Sequence, residues 1–85
     1  MNSPHELVST IETRDNLVAF IRALQADLQA KPEDWENPRL SSFLGALASW
    51  TEDMDGYYLN TGQEVPLRPT WKTMGDMLMA ASLYE

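Results

Sequence analysis

Cysteine is absent from the 85 residues, which excludes disulfides, thiolate metal sites and cysteine nucleophiles together. Stability has to come from packing. Histidine occurs once, at His5, so a paired-histidine metal site cannot be built. No run approaches the ~18 to 20 apolar residues that cross a bilayer, and the first residues carry neither a basic stretch nor an apolar signal core. The expectation is a cytoplasmic protein without a membrane part. Basic residues are scarce too: 6 Lys and Arg stand against 13 Asp and Glu, a net charge of −7. That balance argues against a counterion-release grip on nucleic acid and favours a basic protein partner. Also missing are a Gly-x-Ser-x-Gly elbow and a glycine-rich phosphate loop. The expectation is therefore a chain with no catalytic residues, no metal site and no cofactor, and so not an enzyme.

What is present is apolar enough to fold. With 44% hydrophobic and 22% charged residues, the composition is that of a soluble globule rather than a disordered chain. A chain of this length has room for one core, so residues 1–85 are read as a single domain. Such a core contributes only roughly 3 to 5 kcal/mol, which leaves room for support from a partner or from a homodimer.

The apolar spacing is helical throughout, and no alternating strand pattern competes with it. Ser3 and Pro4 are a cap and a first-turn proline, with Glu6 placed for a capping box, and predict a short helix to about Ile11. Thr13 restarts the pattern as an N-cap. Leu17, Phe20, Ile21, Leu24 and Leu28 then follow at spacings of three and four, until Pro32 stops the helix near Lys31. Trp35 sits in an acidic connector and is read as a lid on the core. Asn37-Pro38 reads as a cap plus proline opening a helix from Pro38 to about Leu59, along Leu40, Phe43, Leu44, Leu47 and Met54. Gly56 weakens that helix by about 1 kcal/mol if interior, and Asn60-Thr61-Gly62 ends it. Residues 63–69 form an extended connection. Thr70 caps the last helix, Trp71 to Leu83, whose apolar face is marked by Trp71, Met74, Met77 or Leu78, Ala81 and Tyr84 or Leu83; Gly75, Ala80 and Ala81 permit close helix approach. The fold class is all-α, a small bundle of three main helices and a short N-terminal one. Its expected core is Leu17, Phe20, Ile21, Leu24, Phe43, Leu44, Leu47, Met54, Met74 and Leu78.

The densest functional-group cluster is Glu52, Asp53 and Asp55 before Gly56. Its Asp-Met-Asp-Gly string invites a calcium-loop alignment, but that places Thr51 and Gly62 where carboxylates are required. A carboxylate metal site would instead need Glu52, Asp53, Asp55 and Asp76 to converge in the fold. Tyr57 and Tyr58 are helix neighbours pointing about 100° apart, so one of them is expected at the surface. A tyrosine beside carboxylates suits a basic protein surface, the ring supplying area and the charges steering. Glu52, Asp53, Asp55, Tyr57 and Tyr58 are therefore the candidate partner-binding residues. The first functional reading is a binding protein such as an immunity-type inhibitor of a basic toxin or nuclease. The alternative is a small homodimeric accessory domain.

Trp35-Glu36-Asn37, Phe43-Leu44 with Ala46-Leu47, Glu52-Asp53-Met54-Asp55-Gly56-Tyr57-Tyr58, Pro69 with Trp71, Asp76-Met77-Leu78, Ala80-Ala81 and Tyr84-Glu85 recur in order as a signature. In these the chain resembles a bacterial family known only as a domain of unknown function, over nearly its whole length. The resemblance implies a shared structural unit and no activity. Within it, Trp35, Trp50 and Trp71 are expected as anchors from three segments, each able to bury roughly 150 to 250 Å², and Asn37 as a helix cap.

Overall fold

The computed structural model describes residues 3–83, and among these four α-helices form and no strand does. α1 spans Pro4–Val8, α2 Arg14–Ala30, α3 Leu40–Asn60 and α4 Trp71–Leu83. The all-α bundle required by the spacing of apolar residues is the fold. Tyr84, expected on the apolar face of the last helix, lies outside the described residues.

Local chemistry sets most helix ends. The Ser3 hydroxyl accepts from the Glu6 N–H with Pro4 in the first turn. α1 then stops at Val8, short of Ile11, where the Ser9 and Thr10 hydroxyls donate back to the carbonyls of Glu6 and Leu7; such local bonds compete with helix continuation. Thr13 caps α2 through the Asn16 N–H at 3.1 Å, and the Asn16 side-chain oxygen accepts in return from the N–H groups of Glu12 and Thr13. Pro32 ends α2 and opens a 3₁₀ turn, Pro32–Asp34. Thr70 caps α4 through the Thr73 N–H at 3.0 Å. At the end of α3, Gly62 takes a φ of 71°, where a Cβ would be strained. This lets Gly62 and Gln63 donate to the carbonyls of Leu59 and Tyr58, satisfying two carbonyls the helix leaves open.

Asn37 departs from its expected role. α3 starts at Leu40 rather than Pro38, and Arg39 stands at its N-cap without a side-chain cap bond. The Asn37 amide instead donates to the Ala81 carbonyl at 3.0 Å, while the N–H groups of Glu36 and Asn37 donate to that of Ser82. Those carbonyls belong to the last turn of α4, which has no intrahelical donors for them. Asn37 caps a helix 44 residues away, at the opposite kind of end.

α4 is the hub. It packs on α3, α2 and α1, and α1 also packs on α2, whereas α2 and α3 do not approach each other among the described residues. Ile11, Leu17, Phe20 and Leu24 form the buried centre, with Leu7, Val8, Trp35, Leu78 and Met79 packed on it; Ala46, Trp50, Tyr58 and Ala81 are buried along α3 and α4. Of the expected core, Leu17, Phe20 and Leu24 are buried, and Phe43, Leu47, Met54 and Leu78 are half-buried. Ile21, Leu44 and Met74 are exposed, as is Trp71, which is therefore no anchor. The reason for Ile21 and Leu44 is the gap: without α2–α3 packing, the outer flank of each apolar stripe has no neighbour to cover it. At Gly75 the close approach is that of the α1–α2 connection rather than of a helix: the buried Ile11 side chain occupies the space a Cβ would need.

Candidate functional site

The second half of α3 carries a small aromatic cluster. Trp50, buried, lies seven residues before Tyr57, on the same side of the helix. Its ring centroid is 5.3 Å from that of Tyr57 and 6.3 Å from that of Tyr58, and the two tyrosine rings meet edge to face at 5.1 Å. The tyrosines divide as neighbours on a helix must: Tyr57 is 41% exposed and Tyr58 only 3%. The Tyr58 hydroxyl donates to a carboxylate oxygen of Asp76 at 2.8 Å, and the Lys72 ammonium lies 3.0 and 3.1 Å from the two Asp76 oxygens. Burial first, then the hydrogen bond and negative charge of Asp76, hold the Tyr58 phenol protonated well above the ordinary tyrosine range. Tyr58 thus braces α3 against α4 beneath the surface. Of the candidate pair it is Tyr57 that meets solvent.

Glu52, Asp53 and Asp55 are all exposed. At ~100° per residue they spread over about 160° of the outward half of α3 rather than along one line. Asp53 shares the flank of Tyr57, four residues on, while Asp55 lies on the other flank. Asp76 belongs to the Tyr58–Lys72 group instead, and no cluster of three metal-ligating side chains occurs among the described residues. Beside the Tyr57 ring, α1 and α4 leave a hollow of about 270 Å³ lined by His5, Val8, Trp50, Tyr57, Asp76 and Met79. It presents an aromatic wall that can receive a Lys or Arg side chain, while the Asp76 carboxylate at its edge is already engaged by Tyr58 and Lys72.

A second feature was not anticipated from the sequence. The gap between α2 and α3 is an apolar groove of about 430 Å³, walled by Ile21, Leu28, Leu40 and Phe43 over Leu24 and Leu78. Trp35 closes one end. Its ring stacks on Phe43 at 6.2 Å and its indole N–H donates to Asp27 at 2.8 Å, so the lid on the core is also the end wall of the groove. Among the described residues Arg39 is the one charged residue in the lining, and none is acidic. The groove faces away from α1: Leu78 lies about 160 to 200° around α4 from Asp76 and Ala80, which line the hollow next to α1. The available signal was Leu40 with Leu44, four residues apart, widening the apolar stripe of α3 beyond what one packed neighbour covers.

No curated protein and no solved structure matches the chain. A family model does, over residues 13–85, a span that takes in α2, α3 and α4 with the Tyr57 flank and the groove, and leaves out α1 with the His5 and Val8 side of the hollow. The chain belongs to DUF7660, a family of unknown function.

Proposed function

We propose that this chain is a non-catalytic protein-binding domain that presents Tyr57, with Asp53 beside it and Glu52 and Asp55 around it, to a basic protein surface. One observation carries the reading. Tyr57 is an exposed aromatic ring already fixed against Trp50 and Tyr58, at the margin of a hollow between α1 and α4. A ring held in place before binding loses little side-chain entropy when a partner covers it. The net charge of −7 steers a cationic partner toward any such surface. An immunity-type inhibitor that covers a basic toxin or nuclease of a bacterium is the role that size, charge and this surface fit together, with the cytoplasm as its setting.

The test uses affinity capture with the native chain, then calorimetry with the identified partner at physiological salt. Tyr57→Ala and the double variant Asp53→Asn, Asp55→Asn are each expected to weaken binding by roughly tenfold or more, as loss of a central aromatic or of paired charge does. A partner bound undiminished by both variants would sink the reading. So would tight binding of calcium, magnesium or manganese to the native chain and not to the double variant.

A further inference from the structure

The α2–α3 groove faces solvent with its apolar walls unpaired. We infer that a second copy of this chain covers it, each copy laying its Leu40–Leu44 ridge into the groove of the other. The surface is self-complementary. Leu40 is 73% exposed and Leu44 53%, and at four residues apart they form a ridge on the groove side of α3. Ile21, 44% exposed, faces them from α2, with Val18 one turn before it. Ridge and groove lie side by side on one face, and a two-fold axis sets such a face against itself, bringing each ridge to the other groove.

Charge points to the same occupant. For a chain of net charge −7, pairing of copies through most faces brings carboxylates together. Among the described residues the groove lining has no acidic side chain and one basic one, Arg39, so pairing through it sets no carboxylates against each other. The apolar stem of that arginine can lie along the leucine ridge. Size agrees as well. The molecule extends 34 × 26 × 18 Å, so its larger faces have the dimensions for the ~800 Å² per partner that a standard interface covers. Contact there leaves Asp53 and Tyr57 open on the other flank of α3, so the inference stands independently of the basic-partner reading.

Sedimentation of the full chain tests it, at about 5 to 200 μM, where a self-associating protein changes mass with concentration. The native mass is expected to rise from 9.6 kDa toward twice that value. Leu40→Glu with Leu44→Glu, and separately Ile21→Lys, put charge into the contact and are expected to weaken the dimer by roughly 100-fold or more while keeping the helical circular dichroism. Asp53→Asn with Asp55→Asn should leave it unchanged. A native chain that stays at 9.6 kDa throughout overturns the inference, even if the groove then accepts an amphipathic peptide. A dimer that survives both groove variants overturns it equally. Should the variants unfold, hydrogen exchange of the native chain decides: residues 18–28 and 39–47 exchange more slowly at the high concentration if copies meet there, and identically if they do not.

Discussion

The Tyr58 hydroxyl and the Asp76 carboxylate, 2.8 Å apart, join the last turns of α3 to the middle of α4. Lys72, one turn earlier on α4, neutralises the same carboxylate. The group is a strut: a buried aromatic ring whose one polar atom has a charged acceptor, so that burial of the ring leaves no donor unpaired.

Tyr58→Phe keeps the ring and removes the hydrogen bond. Because Asp76 retains Lys72, the cost is expected near the low end for bonds to charged groups, about 1.5 kcal/mol in urea denaturation at neutral pH. The pH dependence has a definite sign. The phenol is held protonated in the folded chain above its unfolded value of about 10, so its contribution is fully present below about pH 10 and is lost as pH rises beyond it. The native chain should therefore lose stability more steeply than Tyr58→Phe above about pH 10. Parallel alkaline profiles for the two proteins would contradict the strut.

Trp35→Ala should cost about 3 kcal/mol, the low end for truncating a large aromatic, since the ring is half-buried. Trp35→Phe should cost about 1.5 kcal/mol, from the lost bond to the Asp27 carboxylate. A change below about 1 kcal/mol for the alanine variant would mark a ring free of the core.

Two helical glycines should respond oppositely to alanine. Gly56 has open space around its Cβ position, so Gly56→Ala should stabilise by roughly 0.5 to 1 kcal/mol through helix propensity. At Gly75 the same gain is outweighed by displacement of the buried Ile11, and Gly75→Ala should destabilise by about 1 to 2 kcal/mol. Thermal unfolding of both variants reads the two signs; stabilisation at Gly75 would mean that Ile11 and α4 pack less closely than they do here.

How much of this was readable in advance varies by residue. Thr13, Thr70, Gly62 and Pro32 act within four residues of themselves, and each set the boundary its chemistry requires. Asn37 looked like the same kind of residue and was not, because its partner is the Ala81 carbonyl, 44 positions away. The tyrosine pair divided as helix geometry demands, but which ring went inside depended on where Asp76 stood. The candidate acids Glu52, Asp53 and Asp55 lie on α3 as expected, spread around it rather than gathered.

The sequence by itself determined an all-helical chain and most helix ends, the end of α1 and the start of α3 excepted, since caps, prolines and apolar spacing operate over one or two turns. Only the tertiary structure decided which flanks of those helices are covered. α4 lies between α2 and α3 and keeps them apart, so Ile21 and Leu40 face an open groove and Leu44 stays exposed, although their spacing is that of core residues. Burial depends on how helices far apart in sequence are placed around one another, and no local pattern specifies that placement.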